Sequence, residues 1–114
     1  MAITQAYTGT ATVNTTELSL ITGTNTLSSS TDVGVFQVFI DTSAMAAGDE
    51  YLIQIKEKIT SAGTQQVIYS ATLEGKQSTP FVAPTLVLMN GWDVTLDQIL
   101  GTARSFSWSI RKVG

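Results

Sequence analysis

Apolar and polar residues alternate in two joined runs between Glu50 and Leu73, in EYLIQIKEKITSAGTQQVIYSATL. The apolar positions of the first run are Tyr51, Ile53, Ile55 and Ile59, and those of the second are Val67, Tyr69, Ala71 and Leu73. A period of two is that of a β-strand with one buried face. Because the link between the runs is short and contains Gly63, the pattern predicts an antiparallel hairpin.

Similar alternation recurs at roughly ten-residue intervals along the rest of the chain. Val33 to Asp41 carries apolar residues on both faces, which is typical of a central strand or of one whose outer face contacts another subunit. Further strands are predicted in Thr10–Ile21, with an irregularity near Asn14–Thr16, in Leu86–Met89, from Trp92 to Leu96, and in Arg104–Val113. The sequence therefore predicts an all-β single domain of seven or eight strands. The expected fold is an antiparallel β-sandwich, jelly-roll-like in type, with a barrel as the alternative.

Two segments lack this alternation. Residues 1–9 are polar with isolated apolar positions and are assigned to an N-terminal arm or an edge strand, so that residues 10–114 form the β-sandwich domain. The segment EGKQSTPFVAPT contains Pro80 and Pro84, which cannot occupy interior positions of a sheet. Loops of this length often make contacts, and Phe81, between the two prolines, is the aromatic residue expected to be exposed or bound to a partner.

The composition removes most catalytic chemistry. The 114 residues include no histidine and no cysteine, so the commonest general base, the thiolate nucleophile and the usual zinc ligands are missing. The net charge is −3 and the six basic residues are scattered, which is not typical of a nucleic-acid-binding protein. No apolar run approaches the ~20 residues of a membrane span, and the start of the chain lacks an export signal. Synthesis in the cytoplasm is expected, with neither nucleic acid nor membrane as partner.

Carboxylates are the remaining candidates. Asp49 and Glu50 are interpreted as residues that solvate a turn, with calcium binding as the alternative. Asp93 and Asp97 lie on the polar side of their strand, about 13 Å apart, and are interpreted as part of a solvated outer face. Glu57 shares the parity of the apolar positions and is predicted to point inward and pair with Arg104 or Arg111. No catalytic, metal-binding or cofactor-binding residue is predicted, and the chain is not expected to be an enzyme.

The second half of the chain, from Asp49 to Val113, resembles small virion structural proteins of tailed bacteriophages. The motifs that carry the resemblance are TQQVIYSATL, the GKQ and proline loop, LVLMNGWDVTL and RSFSWSIRKV. The resemblance implies a capsid decoration, or cement, protein on the exterior of the virion, which binds the major capsid protein lattice and is often a homotrimer. A low-charge surface rich in serine and threonine is compatible with packing against repeated neighbours.

Five residues are the predicted subunit or capsid contacts, chosen from strand parity and loop exposure: Val35, Phe39, Pro80, Phe81 and Pro84. The alternative function is a carbohydrate- or receptor-binding β-sandwich module of a tail or host-attachment structure. In that case Trp92 or Phe81 would provide a stacking surface.

Overall fold

The computed structural model describes residues 2–114, which form nine strands in two antiparallel sheets packed face to face. The strands are β1 (Ile3–Val13), β2 (Leu18–Ser19), β3 (Gly34–Asp41), β4 (Glu50–Lys58), β5 (Gln65–Glu74), β6 (Phe81–Val82), β7 (Leu86–Leu88), β8 (Asp93–Leu100) and β9 (Arg104–Val113). Sheet A has the order β1-β9-β3-β6, with β7 also paired to β3, and sheet B has the order β2-β8-β4-β5. The all-β sandwich predicted from the alternation is confirmed. Residues 2–114 contain no helix that is long and apolar enough to cross a membrane.

The predicted hairpin is the β4–β5 pair of sheet B. Its inner face is formed by buried residues of β4 opposite apolar residues of β5, in the pairs Tyr51↔Leu73, Ile53↔Ala71 and Ile55↔Tyr69. The predicted inward position of Val67 is wrong, because the register shifts at Ile68 and places Val67 opposite Lys56 on the outer face. Ile59 follows the end of β4 and is 66% exposed, so it is not part of the core either.

The core lies between the two sheets and is rich in aromatic rings. Tyr51 and Phe106 meet edge to face with ring centroids 4.7 Å apart, and Phe36 packs on Trp92 at 4.6 Å. The Trp92 indole nitrogen donates to the Asp32 carbonyl oxygen at 2.8 Å, which satisfies its only donor inside the protein. Trp92 is 0% exposed and therefore offers no surface on which a sugar could stack.

The N-terminal residues belong to the sandwich. Ile3 to Gly9 form the first part of β1, which pairs antiparallel with β9 from Ile3↔Val113 to Val13↔Arg104. Of the two alternatives for this segment, the edge strand is the one that the structure shows for residues 3–9, and the separate arm with a boundary at residue 9 is wrong for them. Met1 lies outside the described residues. The irregularity expected near Asn14 is a break between β1 and β2, after which the chain enters sheet B.

Phe81 points into the protein. It lies opposite the buried Ile40, and residues directly opposite in an antiparallel pair share a face, so its ring packs against the core. The expectation that Phe81 is exposed is wrong for this reason. Val82, the next residue, takes the outer position and is 47% exposed.

Candidate functional site

The Asp93 carboxylate is bound by groups of the protein itself. It is fully buried and accepts hydrogen bonds from the Ser19 hydroxyl at 2.7 Å, the Ser28 backbone N–H at 2.9 Å and the Val94 backbone N–H at 2.8 Å. Burial raises the pKa of its carboxyl above the usual 3.8 in spite of these donors. The interpretation of Asp93 as a solvated residue is wrong, because the segment from Ser19 to Ser28 folds over the outer face of β8.

Asp97 lies on the same outer face of β8 and is half-buried. Its Oδ1 has no hydrogen-bond partner among residues 2–114, and burial together with the nearby Glu17 carboxylate raises its pKa. Glu17 is itself bound to the Lys56 ammonium at 2.8 Å. The prediction that Asp97 is a freely solvated surface group is therefore wrong. Asp97 also makes no pair with Asp93 that would serve as a general acid and base.

Glu57 points inward, as its parity predicted, but its partner is not a cation. Its Oε2 accepts the backbone N–H groups of Met89 at 2.6 Å and Asn90 at 2.9 Å. The predicted ion pair with Arg104 or Arg111 is wrong. Glu57 instead fixes the chain where it leaves sheet A and enters sheet B.

Asp49 is held by an ion pair with Arg104 and by two backbone donors. Its Oδ2 accepts from Arg104 Nε at 2.8 Å and from the Ala46 N–H at 2.9 Å, while Oδ1 accepts from the Thr102 N–H at 3.1 Å. The guanidinium, assisted by these two backbone donors, lowers the pKa of Asp49 to about 2. Within residues 2–114 no group of three or more acidic side chains is arranged to hold a metal ion.

The outer face of sheet A differs from these sites because it exposes apolar side chains. The strand registers place four aliphatic residues side by side across four strands, in the order Ile3 on β1, Val113 on β9, Val35 on β3 and Val87 on β7. We call these four residues the aliphatic row. The two outer members are 72% (Ile3) and 71% (Val87) exposed, and the two central ones are half-buried by their neighbours.

Beside the aliphatic row, Phe39 and Arg111 occupy the middle of the same face. The guanidinium carbon of Arg111 lies 3.9 Å from the centroid of the Phe39 ring, a cation–π contact. Two shallow concavities meet at this pair. One, of about 250 Å³, is lined by members of the aliphatic row and Gln37, and the other, of about 400 Å³, is lined by Asp41, Pro80, Ser107 and Ser109.

The structure brings three of the five predicted contact residues to this face. Val35 and Phe39 lie on it, and Pro80 borders the larger of its two concavities. Phe81 does not, since it packs against the core, and Pro84 is exposed between β6 and β7. Ile3, Val113 and Val87 also lie on this face, although they were not among the predicted contacts. Strand parity could have placed each on an outer face, but only the register of the four strands shows that they are adjacent.

No protein-family model matches this chain, and no curated protein matches it. Among solved structures, PirA is similar over 94% of this chain and 94% of its own, with a TM-score of 0.54 and 18% sequence identity. The Yersinia pseudotuberculosis-derived mitogen is similar over 99% of this chain and 86% of its own, with a TM-score of 0.52 and 11% identity. The likeness is one of fold. A xylan-binding domain of the CBM 22 type, with 16% identity, covers 73% of this chain and 56% of its own at a TM-score of 0.42, which is too low to bear on function.

Proposed function

We propose that this chain is a non-catalytic structural protein that binds another protein through the outer face of sheet A. The observation that supports this most directly is the aliphatic row, which crosses the whole sheet with its outer members more than two-thirds exposed. Contiguous exposed apolar side chains on a folded domain are typical of interaction surfaces, because their burial in a complex is favourable by roughly 25 cal/mol per Å².

The composition of the rest of the face fits a protein partner. Phe39 and Arg111 lie next to the row, and aromatic and arginine side chains are enriched among the residues that contribute most to binding energy. Among residues 2–114, Arg111 makes no ion pair, so its charge remains available. Gln37 and the hydroxyls of Ser107 and Ser109 would supply the polar rim that surrounds the apolar centre of most interfaces.

The partner we propose is the major capsid protein lattice of a tailed bacteriophage, so that the chain acts as a capsid decoration protein on the virion exterior. This identity comes from the resemblance of the segment from Asp49 to Val113 to virion structural proteins. A lattice repeats the same surface many times, so a modest patch on each copy gives a large total stabilisation.

The test is co-sedimentation of the purified chain with heads of the phage whose genome encodes it, after the native copies have been stripped. We expect the double variant Ile3→Gln/Val87→Gln to bind about tenfold more weakly, because it replaces the two most exposed apolar side chains of the row with polar ones, and burial of apolar surface contributes roughly 25 cal/mol per Å². Ile59→Gln is the matched control, since Ile59 is 66% exposed and lies on the β4–β5 turn, away from sheet A. Equal binding by the row variant and the wild type would contradict the proposal.

A carbohydrate ligand is the second candidate, and the larger of the two concavities favours it. The cavity of about 400 Å³ combines two aromatic residues, Phe39 and the almost fully buried Trp108, with the hydrogen-bonding groups of Asp41, Ser107, Ser109 and Arg111. Trp92 and Phe81 cannot provide the stacking surface, since both face the core. Binding on a glycan array that Ser107→Ala/Ser109→Ala abolishes, and Ile3→Gln/Val87→Gln leaves unchanged, would favour this candidate over a capsid partner.

A further inference from the structure

Strand β5 is a long free edge of sheet B. Within residues 2–114 it pairs with β4 alone, over ten residues from Gln65 to Glu74, and the backbone groups on its other side have no partner strand. The strand contains no proline, no lysine and no arginine, and Glu74 is its only charged residue. Edge strands are normally blocked by such residues or kept very short, as β2, β6 and β7 are in this protein. Apart from the irregularity at Ile68, β5 has none of these protections.

The segment from Tyr69 to Leu73 has a self-complementary pattern. Its five residues, Tyr-Ser-Ala-Thr-Leu, read in the same order of types in both directions: a large apolar residue, a hydroxyl, alanine, a hydroxyl and a large apolar residue. Ser70 and Thr72 are exposed on the outer face, whereas Tyr69, Ala71 and Leu73 face the core side and are only half-buried. The apolar stripe of sheet B is therefore left open at this edge.

We propose that β5 pairs with β5 of a second copy of this chain, antiparallel and centred on Ala71. In this register Ala71 lies opposite its own counterpart, Ser70 opposite Thr72, and Tyr69 opposite Leu73. Aromatic–aliphatic and hydroxyl–hydroxyl neighbours are favourable cross-strand pairs. Two four-stranded sheets become one continuous sheet of eight, and the half-buried apolar stripe of each copy is extended by that of the other.

The other long edge, β1, fits such pairing less well. Gly9, next to its centre, offers no side chain to a neighbouring strand, and its register with β9 shifts between Gln5 and Tyr7. In the β5 seam, by contrast, the segment from Tyr69 to Leu73 lies beyond the irregularity at Ile68. The two Glu74 carboxylates lie at opposite ends, about 20 Å apart, so they do not repel each other strongly.

Cysteine cross-linking tests the register, because the chain has no cysteine of its own. Ala71→Cys places two thiols directly opposite each other, within the range of Cβ separations that a disulfide bridges after a small adjustment. We expect this variant to form a covalent dimer in a glutathione buffer. Thr72→Cys, whose counterpart is Ser70, and Thr12→Cys on the β1 edge are the controls and should remain mostly monomeric on gels. Equal cross-linking of all three variants would overturn the register.

Charge substitutions test the seam without a covalent bond. Ser70→Lys/Thr72→Lys puts lysines opposite lysines at exposed positions, and Ser70→Glu/Thr72→Glu does the same with carboxylates. The measurement is light scattering at concentrations up to about 1 mM, in which we expect the wild type to be a dimer. Each variant alone should be a monomer with an unchanged unfolding transition. A mixture of the two variants should form a heterodimer. A monomeric wild type, or association that the lysine variant leaves intact, would overturn the proposal.

This inference is independent of the proposed function, because the seam lies at the edge of sheet B and the partner surface lies on sheet A. A two-fold seam also differs from the trimer that the resemblance implies, and a wild-type mass of three chains would count against the β5 seam. Loss of dimerisation without loss of binding to phage heads, or the reverse, shows which of the two proposals fails.

Discussion

The outer faces of the two sheets break the usual rule of burial in opposite ways. On sheet B, polar residues of β8 are buried: Asp93 and Thr95 are fully inaccessible, because the chain between β1 and β3 folds over them. On sheet A, apolar residues are exposed: Ile3 and Val87 are more than two-thirds accessible, since no segment within residues 2–114 covers them. Both faces follow the same two-residue period, and only what covers them differs.

The two faces show how a residue with a structural role differs from a candidate functional residue. A buried carboxylate such as Asp93 attracts attention as a catalytic group, but each of its contacts is with its own fold, so it holds a crossing segment in place. An exposed aliphatic residue such as Val87 has no role within the domain that its contacts explain. For that reason, the face with unremarkable chemistry is the better candidate for a binding site.

Substitution of Asp93, on the covered outer face of sheet B, should have the largest effect on the free energy of unfolding. Asp93→Ala leaves the Ser19 hydroxyl and the Ser28 N–H without their acceptor, and buried donors without partners cost about 1–3 kcal/mol each. We expect a loss of about 3 kcal/mol in the free energy of unfolding, measured by urea titration. Asp93→Asn retains one of the two acceptor oxygens and removes the charge, so it is the matched variant and should cost less than alanine. If alanine and asparagine have the same small effect, Asp93 does not hold the crossing segment.

The pH dependence of stability should distinguish Asp93 from Asp49. The folded-state pKa of Asp49 is lowered to about 2 from 3.8, so the folded form binds fewer protons between these values. Its contribution is therefore present above pH 3.8 and lost as the pH falls through 3.8 towards 2. The pKa of Asp93 is raised, so the folded form binds more protons above pH 3.8, and its ionisation destabilises the fold increasingly as the pH rises through that raised pKa.

The measurement is the unfolding midpoint of Asp49→Asn and Asp93→Asn relative to the wild type, from about pH 2 to about pH 7. The deficit of Asp49→Asn should shrink as the pH falls. Asp93→Asn should gain relative to the wild type as the pH rises. Parallel pH profiles for the two variants would show that the two carboxylates do not differ in environment as the structure implies.

Much of the fold could be predicted because its signal is local. A period of two is visible within a single strand, so the strand from Arg104 to Val113 was predicted with the bounds that β9 has in the structure. Events that depend on a partner strand were not predictable in this way. The register shift at Ile68 moves Val67 to the outer face, and nothing in the sequence of β5 marks it.

The candidate site was predictable only in part, for the same reason. Parity within β3 placed Val35 and Phe39 on an outer face, which the structure shows. The remaining members of the aliphatic row come from strands distant in sequence, and their adjacency depends on the order of sheet A. Parity also put Asp93 on the outer side of β8. Its burial follows from a contact with Ser28, 65 residues away, and no local pattern contains that information.

The smallest expected effect is the change in the free energy of unfolding on substitution of Val87, on the open outer face of sheet A. Its neighbour on β7, Leu88, provides the comparison. Leu88 is 1% exposed and Val87 is 71% exposed, although both are aliphatic residues of the same short strand. Leu88→Ala should cost about 3 kcal/mol through loss of buried surface and creation of a cavity. Val87→Ala should change the free energy of unfolding by no more than about 0.5 kcal/mol, as is usual for exposed sites. Urea titration of the dilute protein measures both. If Val87→Ala instead costs more than about 1 kcal/mol, the residue is buried in solution, and the outer face of sheet A is already covered before any capsid protein is added.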